Sequence, residues 1–322
     1  MAITQITANE IFTQHPTRFK KNEKSALRST LREKFKAMGY EDSEISEIEA
    51  SGTNLVVGSP RAEYLFTAHY DTPGKTGWLL GTSKWLGMTG ANIFMIVAVL
   101  VLGSLCTALP QIISSALFPE ANENFIYEMN FWMAYIFLLI VLAIMIISMV
   151  VKNKNNRNDN TSGVLSLLAL AEKVSADSEL RDKCCFVFFD NEEWGLLGSA
   201  DFAKHCRKNG IDLNQSKVIN FDCVGYGDVL TFVSTRKTPV ANSVTAAFAE
   251  AGKSHVSKRS KMIFLSDHAN FKNSVMVSYT DRAPVGLLYI PRIHTSKDTE
   301  CDIDKINRLT DDFYTFVSQG KI

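Results

Sequence analysis

Residues 91–118 and 131–151 are two apolar stretches without a charged side chain, the first carrying Pro110. Each exceeds the roughly 18–20 residues needed to cross a bilayer, so the pair reads as a transmembrane helical hairpin. Buried core helices are the rival reading, but such helices seldom run this far without a charge. The connector carries Glu120, Glu123 and Glu128 and no Lys or Arg, whereas Lys75, Lys84, Lys152, Lys154 and Arg157 flank the hairpin on its outer sides. The positive-inside rule therefore places both termini and the remainder of the chain in the cytoplasm, as a multi-pass membrane protein with spans at about 91–113 and 131–151. Trp78 and Trp85 before the first span and Trp132 at the start of the second suit interfacial positions.

The rest of the chain reads as one domain formed by residues 1–85 and 152–322, with 86–151 inserted. Its 322 residues, 46% of them hydrophobic, are enough for a sizeable core. The balance of 34 basic and 34 acidic residues, with no basic stripe, argues against nucleic acid as a partner. None of the six cysteines stands in a CxxC or zinc-finger spacing, and Cys184 and Cys185 lie in an apolar run. They read as reduced, buried thiols, which suits a cytosolic domain. Residues 1–12 lack the basic segment and apolar core of a signal peptide.

Apolar periodicity predicts a helix within 8–39, where Leu27, Leu31, Phe35 and Met38 share a face. Strands are expected at 55–57, 64–68, 185–189, 217–221, 229–233, 275–279 and 285–290. Helices are expected after Gly163 and at about 198–208, 239–252 and 303–317. This alternation predicts an α/β fold, a mixed central sheet flanked by helices.

Metal-binding residue types recur where the apolar runs end: His69 with Asp71, Asp159, Glu192 with Glu193, Asp222, and His294. In an open α/β sheet, ligands gather beyond the carboxyl ends of the strands, so the fold brings these distant residues together. Imidazole and carboxylate without thiolate suit zinc or a similar divalent ion. Clustered carboxylates repel one another unless cations neutralise them, and the inventory is large enough for two metals. Singly, each residue has a plainer reading: His69 as a core histidine, Glu192–Glu193 as a solvated turn, Asp159 as a helix N-terminal carboxylate. His15, His205 and His255 read as surface residues.

The series resembles the co-catalytic zinc aminopeptidases of metallopeptidase family 28, which include aminopeptidase Y and, distantly, glutaminyl cyclases. The matching stretches are His69-Tyr70-Asp71, Asn158-Asp159-Asn160-Thr161-Ser162-Gly163, and residues 188–199 with Asp190-Asn191-Glu192-Glu193-Trp194-Gly195. Asn220-Phe221-Asp222, Ser266-Asp267-His268 and Ile293-His294-Thr295 follow in the family's order. The resemblance covers roughly residues 25–320 apart from the hairpin and implies the zinc aminopeptidase fold, of phosphorylase/hydrolase type.

It further implies two zinc ions or similar divalent metals. Asp159 bridges them, His69 and Asp222 complete one, and Glu193 and His294 complete the other. Asp71 orients His69, and Glu192 is the general base that passes a proton from the attacking water to the leaving amine. The Asp159–Asn160 peptide is expected to be cis, and Asp267 and His268 are expected near the site without ligating. Two departures stand out. Several relatives have a tyrosine before the last histidine, where this chain has Ile293, with Tyr279 or Tyr289 as substitutes. Most relatives have a short loop where the hairpin lies.

The function expected is a membrane-anchored aminopeptidase that hydrolyses N-terminal residues of peptides, with peptide substrate and lipid bilayer as partners. The alternatives are a mono-zinc, glutaminyl cyclase-like enzyme and a catalytically silent membrane scaffold. Neither the residue preference nor the oligomeric state is written in the sequence.

Overall fold

Pro16 divides the N-terminal helical pattern. Proline lacks the amide hydrogen a helix interior needs and disfavours helical backbone in the residue before it. The computed structural model, which describes residues 5–117, 123–260 and 264–320, therefore holds two helices, α1 (Gln5–Gln14) and α2 (Lys21–Ala37). They replace the single helix expected over 8–39. Phe118 and Glu120 of the apolar hairpin, and residues 1–4 of the N-terminal stretch, lie outside the described residues. The Glu23 carboxylate accepts the backbone N–H groups of Phe19 and Lys20 at 3.0 Å and caps α2. Leu27, Leu31 and Phe35, four residues apart, form its fully buried stripe.

The strands are β1 (Ile45–Glu49), β2 (Thr53–Val57), β3 (Tyr64–His69), β4 (Cys184–Phe189), β5 (Lys217–Phe221), β6 (Val229–Ser234), β7 (Val256–Arg259), β8 (Ser274–Arg282) and β9 (Leu288–Tyr289). The remaining helices are α3 (Ser83–Leu117), α4 (Glu123–Val150), α5 (Gly163–Ser175), α6 (Ser178–Asp182), α7 (Leu197–Lys208), α8 (Pro239–Glu250) and α9 (Ile303–Ser318). The nine strands form one mixed sheet in the order β1-β2-β4-β3-β5-β8-β6-β7, with β9 paired to β8. Its centre, β4-β3-β5-β8, is parallel. These central strands are near-continuous apolar runs because both faces are covered.

The two faces separate by strand periodicity. Tyr64, Phe66, Ala68, Phe186, Phe188, Ile219 and Phe221 point into the larger core beneath α1, α2, α5, α8 and α9. Leu65, Val187, Phe189 and Val218 point into a smaller core with Phe202 and Cys206 of α7. The chain runs from β3 through α5 on one face to β4, then through α7 on the other face to β5. That reversal of winding on either side of β3 opens a crevice at the carboxyl ends of β3, β4 and β5.

Two further expectations change. The strand expected at 285–290 shrinks to Leu288–Tyr289, because residues 283–287 close a turn in which the Ala283 amide donates to Leu287 O at 2.8 Å. The expected surface residue His15 is buried, with Nε2 at 2.9 Å from Thr30 Oγ1. His205 is exposed as expected, and His255 is half-buried with its ring 5.3 Å from that of Phe232.

Helices α3 and α4 pack on each other, and both are long and apolar enough to cross a membrane. Their most apolar stretches are 0% and 6% buried by protein, so they are not core helices of this domain. The pair is closed at its base by a short antiparallel bridge between Gly74 and Lys152. There the Lys75 amide donates to Val151 O at 2.9 Å and the Asn153 amide to Pro73 O at 3.0 Å. Gly87 kinks the start of α3 with φ 67°, and Leu287 packs so close that a Cβ at this position would lie 2.4 Å from its side chain.

Candidate metal centre

His69 is the last residue of β3, and the sheet aims its ring into the crevice. Asp71 follows, Glu192 and Glu193 lie on the turn after β4, Asp222 follows β5, and His294 lies on the loop after β9. Asp159 stands on the wide turn 157–162 that opens α5. The Asp159–Asn160 peptide is cis. Asn191, Cys223 and His294 itself have left-handed backbones, with φ of 55°, 55° and 57°. Such conformations are unfavourable for residues with a Cβ and cluster where a site dictates the backbone.

The two oxygens of Asp159 face different imidazoles. Oδ1 lies 3.3 Å from His69 Nε2, which is 3.8 Å from Asp222 Oδ1. Oδ2 lies 3.1 Å from His294 Nε2, which is 3.2 Å from Glu193 Oε2. His69–Asp159–Asp222 and Asp159–Glu193–His294 thus form two triads that could each hold a metal ion and share one carboxylate, each with donor atoms within 4.8 Å of one another. Glu192 stands beside both, its carboxylate within 4.8 Å of donor atoms of His69 and Glu193. Asp71 faces His69 Nδ1 at 3.4 Å and also accepts the backbone N–H groups of Glu192 at 3.1 Å and Glu193 at 3.3 Å. One carboxylate therefore ties the end of β3 to the turn after β4.

Burial opposes charge throughout the crevice. It pushes Glu192 well above the usual carboxylate range, and the neighbouring Glu193, Asp267 and Asp222 push the same way. Burial also raises Glu193. It opposes ionisation of Asp159 as well, but the two facing imidazoles outweigh it and hold that carboxylate low. Both histidines are raised well above their ordinary value, because the surrounding carboxylates overcome desolvation. Asp159 Oδ2 and Glu193 Oε1 are buried with no hydrogen-bond partner. An excess of buried carboxylate, unpartnered oxygens turned inward and nitrogen and oxygen donors without thiolate together fit divalent cations such as zinc.

Asp298 and Arg18, and the hydrogen-bonding role of Asn160, escaped the sequence reading. The buried Asp298 carboxylate accepts the backbone N–H groups of Asn158 at 2.8 Å and Asp159 at 3.0 Å, and burial pushes its pKa up to about 7. The Asn160 carboxamide donates to Phe221 O at 2.9 Å and accepts from the amides of Gly163 and Cys223, stitching the Asp159 turn to the end of β5. Arg18 is buried beneath the centre. Its guanidinium donates to Tyr70 O and Thr161 Oγ1, both at 2.8 Å, and burial lowers its pKa to about 10. These are single polar residues in loops, with no spacing signal to reveal them.

Asp267 and His268 are fully buried near the centre but belong to neither triad. Burial drives the first up to about 7 and the second down to about 4. Ile293 packs against the apolar cluster that holds Met88, Leu288 and Ile290, at the position where the resemblance leads to the expectation of a tyrosine. Tyr279 lies on the opposite face, with its ring 4.6 Å from Lys305 Nζ of α9, which removes it as a substitute. Tyr289 sits on β9, paired with Asp281 of β8.

The sequence model of peptidase family M28 matches residues 151–316, slightly more than half of the chain. The chain belongs to peptidase family M28. It is accordingly a zinc hydrolase with peptide substrates. Among solved structures it is similar to the LapA aminopeptidase of Legionella pneumophila, at 16% identity and TM-score 0.60, covering 97% of this chain and 69% of that one. It is similar to LapB of the same organism at 13% identity and TM-score 0.58, covering 99% and 73%. The glutaminyl cyclase of Porphyromonas gingivalis matches at 15% identity and TM-score 0.57, covering 97% and 98%. These likenesses show a common fold. No curated protein sequence matches. The family match begins after the apolar pair, so His69 and Asp71 join the M28 residues through the geometry of β3 alone.

Asp298 gives a pH signature to the metal-free protein. Its folded pKa of about 7 lies above the ordinary value of 3.8, so between these values the folded state holds a proton that the unfolded state has released. Stability then falls as pH rises from about 4 to about 7, by up to about 1.4 kcal/mol per pH unit. Denaturant titrations across this range should show that decline in the parent, with a smaller one in Asp298→Ala. Equal slopes in the two proteins would exclude Asp298 as the source.

Proposed function

We propose that this M28 member is a membrane-anchored aminopeptidase using two zinc ions, with His69, Asp159 and Asp222 at one and Asp159, Glu193 and His294 at the other. The single observation behind this reading is the division of the Asp159 carboxylate, one oxygen facing each imidazole–carboxylate set. When bound, zinc polarises a peptide carbonyl and makes water a stronger acid. Glu192 adjoins both sets and acts as general base: its carboxylate takes a proton from the attacking water and delivers it to the amine released as the peptide C–N bond breaks. Asp71 holds His69 in orientation and fixes the backbone that carries Glu192 and Glu193. A mono-zinc, cyclase-like centre would leave one of two complete ligand sets without a task, and a silent scaffold would leave both.

In this reading residues 1–85 and 152–322 form the peptidase domain, and 86–151 form a hairpin crossing the membrane near 91–113 and 131–151. Lysines on both legs of its base favour a cytoplasmic domain, and the exposed Trp78 and Trp85 at the first leg suit the lipid interface. The legs return to the domain close to His294, so the crevice opens near the inner leaflet and apolar or membrane-derived peptides are the favoured substrates.

Two experiments bear on this. Glu192→Gln should lose roughly 10²–10⁴-fold in kcat on aminoacyl substrates while retaining the zinc content of the parent. Unchanged turnover would remove Glu192 as the base. Replacing residues 86–151 with a short flexible linker should lower cleavage of vesicle-associated peptides more than that of soluble ones. An equal effect on both substrates would reduce the hairpin to an anchor.

A further inference from the structure

The two imidazoles of the centre are oriented by different parts of the chain. His69 Nδ1 faces Asp71, two residues away on the same strand end. His294 Nδ1 instead meets the hydroxyl of Thr76 at 2.8 Å. Thr76 lies between the Gly74–Lys152 bridge and the first apolar helix, on the leg entering the hairpin. His294 Nε2 is turned to Asp159 and Glu193, and once it binds a metal it carries no proton. The ring proton then resides on Nδ1 and is donated to Thr76 Oγ1.

The same loop is gripped from both legs. From the first, the Gly77 amide donates to His294 O at 3.2 Å, an approach so close that a Cβ at Gly77 would lie 2.7 Å from that oxygen. From the second, Asn153 Nδ2 donates to Thr295 O at 3.0 Å and Asn155 Nδ2 to Ser296 O at 2.6 Å. On the apolar side Met88 of α3 packs in one cluster with Leu288, Ile290 and Ile293, the last immediately before His294. The left-handed backbone of His294, φ 57°, is held by these contacts rather than by local preference.

We infer that the base of the hairpin is a working part of the metal centre, with Thr76 a positioning residue that sets the ring of His294 from the membrane-entering leg. The inference rests on reading His294 as a zinc ligand. It makes the zinc ion held by His294 more directly sensitive to how the hairpin is seated than the ion held by His69. Hydrogen-bond partners of ligating histidines contribute roughly 10–100-fold to metal affinity.

The test uses the full chain in lipid nanodiscs, with zinc affinity measured by chelator competition and the ligand field read from the visible spectrum after cobalt(II) substitution. Thr76→Val keeps the side-chain shape and removes the acceptor. It should loosen one of two zinc ions by roughly 10–100-fold and alter part of the cobalt spectrum, while Thr76→Ser should match the parent. Parent-like affinity and spectrum in Thr76→Val would overturn the inference, as would a Thr76→Ser protein that loses zinc like the valine variant. The parent itself tests the underlying reading: a parent without zinc contradicts both, whereas a two-zinc parent with an indifferent Thr76→Val contradicts only the role of Thr76.

Discussion

Carboxylates and imidazoles crowded at the end of a sheet, away from water, repel or remain unsatisfied unless cations join them, and Asp159 is where that constraint concentrates. Its two oxygens serve two sets of side chains, so its placement determines whether the centre holds together. The structure commits much of its polar interior to that placement. Asp298 accepts the amides of Asn158 and Asp159, Asn160 ties the turn to β5, and Ser162 Oγ accepts the Val224 amide at 2.9 Å. The strands bring His69, Glu193 and Asp222 to the crevice, but this hydrogen-bonded turn aligns the shared carboxylate between them.

The apolar hairpin enters within this arrangement rather than beside it. It leaves the domain shortly after His69 and returns shortly before Asp159, and its base is hydrogen-bonded to the loop carrying His294. Ile293, immediately before His294, packs against the apolar cluster that also holds Met88 of the first apolar helix. The apolar hairpin and the candidate metal centre thus share one stretch of chain. M28 membership and the hairpin's apolarity meet in residues 73–77 and 151–155.

Much of the residue cluster was legible in the sequence because its imidazoles and carboxylates follow apolar runs. The central strands were legible for the same reason, since both faces are buried and the runs are continuous. The edge strands were not. β1 buries Ile45 and Ile48 with two exposed residues between them, which breaks the two-residue period, and β7 carries Lys258 and Arg259 in a four-residue span. Asp298, Arg18 and Thr76 were invisible for another reason. Each is an ordinary loop residue whose importance comes entirely from what the fold sets against it.

The most direct test of a shared carboxylate is the zinc stoichiometry of Asp159→Ala, measured by mass spectrometry of the intact protein beside the parent. If one side chain serves both ligand sets, the parent carries two zinc ions and the substitution weakens both together. A variant that loses one ion and keeps the other at parental affinity would contradict the bridge and leave two independent sites.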